Sequence, residues 1–165
     1  MLSELGDTID AVSISTPDHT HYAATLAAME RGKHVFTQKP LTNNIAEAQH
    51  LIKVTREKDL VTQMGIQNKA TEGYRLATRL VRESAIGKVS KVYVWCFKDW
   101  GHDGAPYAGE DLIPDYLDWN LWLGAAPKRP FLEQKYHPGQ WRRSLEFGCG
   151  TLGDMGVHLS LIHIS

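Results

Sequence analysis

The sequence predicts an α/β fold: part of a doubly wound parallel sheet, followed by the beginning of a second, open-sheet α/β domain. Three observations carry this. Short apolar strands alternate with helix-period segments between Ile9 and Gly87. The connections between them are only a few residues long. After Gly87 the character changes to a long aromatic strand and then a loop rich in Gly, Pro and Asp.

Each element has a local reason. Ile9–Thr16 reads as a strand ending in Thr-Pro. Pro17 and Asp18 open a helix, since proline suits a first helical turn. Tyr22, Leu26 and Met29 recur along it, and Gly32 stands where a C-terminal cap belongs. His34–Thr37 is a short strand that runs into Gln38-Lys39-Pro40. Asn44, with Glu47 three residues on, resembles a capping box ahead of the stripe Ile45, Ala48, Leu51 and Ile52. Leu60–Ile66 is a third strand, and Thr71 caps a helix carrying Tyr74, Ala77, Leu80 and Val81, closed by Gly87. Val89–Lys98 alternates Val92, Val94 and Cys96 with Tyr93, Trp95 and Phe97, which predicts a strand buried on both faces. Asp99–Asp118 is a long loop, Asp118–Gly124 a helical turn, and a glycine-rich turn at 148–156 opens a last helix.

The boundary between the two halves falls near residues 70–90, and the expected division is 1–75 and 76–165. The first strand belongs in the middle of a parallel sheet, which needs strand neighbours on both sides and cover on both faces. The chain supplies few strands for that, so it is expected to be a fragment, with little or no activity alone.

Composition narrows the function. Eighteen Lys plus Arg against nineteen Asp plus Glu leave a net charge of −1, which argues against nucleic acid or an anionic membrane as the main partner. No apolar run approaches the roughly 18 residues of a membrane span. The first residues carry Glu4, Asp7 and Asp10 and no Lys or Arg, unlike a signal peptide. Cys96 and Cys149 are isolated, which suits a reducing, cytoplasmic setting.

Four groups of residues hold candidate chemistry. Lys39 lies just past the carboxyl end of a strand, where open α/β sheets bind ligands. A lysine there can hydrogen-bond a substrate hydroxyl and stabilise a developing alkoxide, although on position alone a solvated loop lysine is the commoner case. Asp154 and His158 are four apart, so one helix face can present both. A carboxylate beside the imidazole would raise its pKa and fix its tautomer, as a general base requires; a plain surface pair has the same spacing. Thr16-Pro17-Asp18-His19-Thr20-His21 follows a strand and places polar groups at a helix start. Its two histidines do not make a metal site, because zinc needs three or four ligands, so no metal is expected. Gly148-Cys-Gly-Thr-Leu-Gly153 matches G-x-G-x-x-G but follows no convincing strand, and reads as a tight turn. The aromatic residues Trp100, Trp119, Trp122, Trp141, Tyr107 and Tyr116 could face a sugar, but packing is the commoner use.

Taken in order, Thr16-Pro17-x-x-x-His21, Gln38-Lys39-Pro40, Trp141-Arg142 and Gly148-x-Gly-x-Leu-x-Asp154-x-Gly-x-His158 resemble successive motifs of the Gfo/Idh/MocA oxidoreductases over about residues 8–159. The resemblance implies a Rossmann domain binding NAD or NADP and a C-terminal α/β domain that often mediates homo-oligomers. It implies catalytic roles for Lys39, Asp154 and His158, with His158 as acid/base. It also implies a cofactor site lined by Thr16, Pro17, His21, Gln38, Lys39, Trp141 and Arg142. A hydride would then pass between a sugar or polyol carbinol carbon and nicotinamide. Gln38 departs from the family's usual glutamate, which removes a charge beside Lys39. The family's glycine-rich phosphate loop is not in these 165 residues, and His158-Leu-Ser-Leu161 replaces a frequent His-x-x-Asp. Two other functions fit the resemblance: an NAD-retaining glycosidase, and a non-catalytic nucleotide- or sugar-binding protein.

Overall fold

The computed structural model describes residues 2–101 and 107–164. Strands β1 (Ala11–Ile14), β2 (His34–Gln38) and β3 (Thr62–Gly65) form a parallel sheet in the order β1-β2-β3. Val12 pairs with Val35, Ile14 with Thr37, and Thr37 with Met64. Helix α2 (Asp18–Glu30) connects β1 to β2 and α3 (Ile45–Glu57) connects β2 to β3. The two helices touch each other as well as the sheet, as expected when successive right-handed crossovers lie on one face. Ile14, Val35 and Thr37 point to that face and are buried, and Val35 meets Ala28, Met29, Leu51 and Val54 in an aliphatic core. Ser13 and Phe36, on the other face, are exposed. Among the described residues β1 has a strand neighbour on one side only, β2, and helices cover one face of the sheet.

Local signals explain the helix ends. Asn44 Oδ1 accepts the Glu47 N–H at 2.9 Å and caps α3. Gly32 takes φ +72°, the left-handed turn that ends α2. Thr71 precedes α4 (Glu72–Arg82) without capping it; its hydroxyl donates to the Asn68 carbonyl instead. A short helix α1 (Leu2–Leu5) and a 3₁₀ turn precede β1, and Leu2 packs against the aliphatic core. The sequence reading contains neither.

The strand expected at Val89–Lys98 does not form. The segment has no ladder partner, and Tyr93, Trp95 and Phe97 are 70%, 72% and 95% exposed rather than buried. A strand exists only where another backbone accepts and donates its ladder bonds, and no described segment of the second half is paired. The Asp99–Asp118 loop follows, its residues 102–106 lying outside the described residues. Helix α5 (Trp119–Leu123), capped by Asp118 accepting from the Leu121 N–H, anchors an aromatic core with Phe131, Tyr136, Trp141 and Phe147. Trp119 stacks on Trp122 with ring centres 4.8 Å apart. Most of the aromatic residues are thus packing residues, whereas Tyr116 stays 78% exposed. Helix α6 (Gly150–Ile164) closes the described chain. Gly148 allows the turn before it: a Cβ there would lie 2.9 Å from Arg142 Cα. That supports a packing role for this glycine, and the segment before it is a 3₁₀ turn (Gln140–Arg143), not a strand.

Candidate active site

The loops after β1 and β2 rise from the carboxyl ends of adjacent parallel strands. The 3₁₀ turn and Trp122 of the second half face them. Between these lies a cleft of about 570 Å³. It is lined by Thr16, Pro17, His21, Gln38, Lys39, Trp141 and Arg142, and also by Ser15, Asp18, Gln67, Trp122, His137 and Pro138. All seven residues assigned to a cofactor by resemblance thus border one space.

Lys39 is the electrostatic centre. Its Nζ donates to the Asp154 carbonyl at 2.8 Å and pairs with Asp154 Oδ1 at 2.8 Å. The same Oδ1 accepts from Arg142 Nε at 3.1 Å. Arg142 lies over the Trp141 ring at 4.2 Å and over the Trp100 ring at 5.0 Å. Two cations thus share one buried carboxylate. An ammonium has three N–H donors, and two of those on Lys39 go to Asp154.

This corrects the role expected of Asp154. Its carboxylate goes to Lys39 and Arg142, not to His158 one turn further along α6. His158 is held below the ordinary imidazole pKa, not above it: burial disfavours its charged form and the nearby Lys39 adds to this, outweighing Asp154. Nδ1 of its ring is buried without a hydrogen-bond partner among the described residues. His158 borders a separate cavity of about 300 Å³ with Tyr74, Val92, Tyr93, Val94 and Trp95. Lys39 and His158 are therefore linked through Asp154 but do not share one cleft.

The two histidines after β1 have different tasks. His19 donates from Nε2 to the Trp122 and Leu123 carbonyls, both at 3.2 Å, and its backbone N–H donates to the Phe147 carbonyl at 3.1 Å. It joins α2 to the aromatic core, and burial lowers its pKa. His21 is 1% exposed and sits between the Thr16 and Pro40 carbonyls. No group of three or more metal-binding side chains occurs among the described residues.

Asp18 and Cys149 were not singled out from sequence. Asp18 is the first residue of α2, only 3% exposed, and accepts from Cys149 Sγ at 3.4 Å. Burial pushes its carboxyl up to about 6, and the Cys149 thiol beside it is pushed up to about 12, mainly by burial. Their sequence separation hides the pairing. The signal available was an acidic residue at a helix start next to a candidate binding loop.

A cleft at the carboxyl ends of parallel strands, beside a helix N-terminus and a paired lysine, defines a nucleotide-binding α/β protein of the doubly wound class. Comparison with known proteins sharpens this. Residues 1–66 match the model of an oxidoreductase family with an NAD-binding Rossmann fold, and residues 78–161 match the C-terminal α/β domain of the same family. The chain belongs to the Gfo/Idh/MocA oxidoreductase family.

It is 30% identical over 166 residues to scyllo-inositol 2-dehydrogenase (NAD(+)) of Bacillus subtilis, covering 89% of this chain and 48% of that protein. It is 30% identical over 95 residues to levoglucosan dehydrogenase of Pseudarthrobacter phenanthrenivorans, covering 58% and 24%. A crystal structure of myo-inositol 2-dehydrogenase from Lactobacillus plantarum aligns with a TM-score of 0.49 and 32% identity, over 54% of this chain and 27% of that one. The chain spans about half the length of these relatives or less. No described helix is long and apolar enough to cross a membrane.

Proposed function

We propose that this chain supplies the substrate-facing part of an NAD(P)-dependent sugar or polyol dehydrogenase, with residues 1–75 on the cofactor side and 76–165 beginning the second domain. The observation that carries the reading is the buried Lys39–Asp154 pair at the cleft edge. It holds the ammonium in place and leaves one N–H for a ligand hydroxyl.

The cleft suits a nicotinamide nucleotide. The Gln38 side chain lies tight against Gly65, where a Cβ would meet Oε1 at 2.8 Å, so the amide is held at the strand end. Thr16 and Pro17 stand at the start of α2, and Trp141 and Arg142 form the opposite wall. When bound, the cofactor supplies the hydride acceptor or donor. The chain supplies the rest. Lys39 donates to the reacting hydroxyl and offsets the negative charge that develops on its oxygen. Asp154 fixes the Lys39 ammonium, with Arg142 sharing the carboxylate. His158 borders the neighbouring cavity; in this reading the substrate spans both spaces, so that His158 takes the hydroxyl proton in the oxidative direction and returns it in reduction. The dehydrogenase names of the relatives support a polyhydroxylated substrate.

The test uses the intact protein encoded by the full gene. NADH or NADPH formation is followed with inositols and anhydrosugars, for the wild type, Lys39→Ala and His158→Ala. Each variant is expected to lower kcat by about 10²–10⁴-fold. Turnover unchanged in both would sink the reading.

A further inference from the structure

The His21 ring is fixed at both ends. Nδ1 lies 2.7 Å from the Pro40 carbonyl oxygen and Nε2 lies 2.7 Å from the Thr16 carbonyl oxygen. A carbonyl oxygen only accepts, and a neutral imidazole has one N–H and one lone pair. Either neutral tautomer would set a nitrogen lone pair against a carbonyl lone pair at hydrogen-bond distance. Only the imidazolium, with two N–H donors, satisfies both contacts. The side chain is 1% exposed, so water does not compete for either bond.

We propose that His21 is a doubly protonated clamp that positions Lys39 by stapling the loop after β1 to the turn after β2. Thr16 belongs to the first loop, and Pro40 directly follows Lys39. One ring therefore sets the distance between the Thr16–Pro17 wall of the cleft and the lysine that pairs with Asp154. His21 is a positioning residue; it lines the cleft but has no ring nitrogen left for a ligand.

The surrounding charges allow this state. Asp18, one turn earlier on α2, attracts the cation. Burial disfavours the charged form of His19, which weakens its opposition to a charge on His21. Lys39, on the clamped turn, and Arg142 and His137, across the cleft, are the other groups bordering the same space. Lys39 and Arg142 share Asp154, which reduces their opposition. Loss of the ring proton would cancel one of the two bonds, and the turn carrying Lys39 would loosen from the β1 loop.

The consequence for catalysis rests on the dehydrogenase reading, but the clamp does not, and its test needs no turnover. The intact protein encoded by the full gene, labelled with ¹⁵N and ¹³C, is followed by NMR from pH 6.0 to 8.5. The His21 ring is assigned through its own carbon-bound protons, so no variant has to fold. At pH 6.0 both ring nitrogens are expected to show directly bonded, slowly exchanging protons. Any loss of one of them at higher pH should shift the Lys39 and Leu41 backbone amides in step. A single protonated nitrogen at pH 6.0 would overturn the clamp. A ring that loses its proton while Lys39 and Leu41 stay still would overturn its positioning role. An inactive intact enzyme whose His21 ring carries both protons would count against the dehydrogenase reading alone.

Discussion

β2 and the segment from Val89 to Lys98 are built from similar β-prone residues and end differently. His34-Val-Phe-Thr-Gln38 is paired on both sides, by β1 and by β3, and Val35 and Thr37 are buried. Val89–Lys98 has more aromatic and β-branched residues, yet Trp95 and Phe97 stand largely in solvent. The difference lies in where the partner comes from. β2 finds both neighbours within a strand–helix–strand unit of some thirty residues, and α2 and α3 cover one face as a by-product of the crossovers. Among the described residues the later segment has no partner of that kind. Strand propensity measures fit to a pleated, half-buried surface, and it cannot create that surface.

Stability measurements can break this comparison. Phe147 is fully buried in the aromatic core, with ring contacts to His19, Trp122 and Tyr136. Phe147→Ala is expected to cost about 3–5 kcal/mol in urea unfolding, as large-to-small core changes do. Phe97→Ala, at a residue 95% exposed, should stay within about 0.5 kcal/mol, as for an ordinary surface site. If Phe97→Ala cost as much as Phe147→Ala, the segment would be packed and the contrast with β2 would fail.

A smaller effect, and of opposite sign, is expected at Asp18. The folded protein holds the Asp18 proton more tightly than the unfolded chain, with the carboxyl moved from 3.8 to about 6. The folded state therefore binds more protons between those values, and Asp18 makes stability fall as pH rises through that window. Two pH units correspond to about 3 kcal/mol at most. Asp18→Asn should therefore stabilise the chain by about 1–3 kcal/mol at pH 8 and leave it unchanged near pH 3.5. His19 and His158 act in the other direction: their pKa values are lowered, so their contribution is lost as pH falls below about 6.5. They are present in both proteins and cancel in the difference. An Asp18→Asn protein no more stable than wild type at pH 8 would show that the carboxylate is better satisfied than its burial indicates.

The legible and illegible parts of the molecule divide along the same line. Strand ends, helix starts and short connections follow from neighbours in sequence, so the three paired strands and the helices around them could be read directly. So could the residues that meet at the carboxyl ends of β1 and β2, because the topology brings strand ends together whatever the side chains do. The pairings inside the site could not. The i,i+4 spacing of Asp154 and His158 is visible in the sequence. That the Asp154 carboxylate turns to Lys39, 115 positions earlier, is not. The expected rise in the His158 pKa fails chiefly because burial disfavours the charged ring, with the nearby Lys39 charge adding to it. The Asp18–Cys149 contact spans 131 positions and escapes because of that separation.

Helix capping gives the finest version of the comparison, because Asn44 and Thr71 look alike in sequence and differ in structure. Both precede a helix, and both have a side-chain oxygen able to accept a first-turn N–H. Asn44 does so, accepting from Glu47 at 2.9 Å. Thr71 instead donates its hydroxyl to the Asn68 carbonyl at 2.8 Å, because a 3₁₀ turn over Gln67–Ala70 places that acceptor three residues back. Asn44→Ala removes the side-chain oxygen that caps the start of α3 and is expected to cost about 1 kcal/mol. Thr71→Ala removes one exposed hydrogen bond that water can replace, and should cost no more than about 0.5 kcal/mol. Chemical denaturation of the two variants side by side decides the matter. Equal costs would mean that Thr71 caps α4 in solution, and that its residue type was the better guide to its role than the preceding turn.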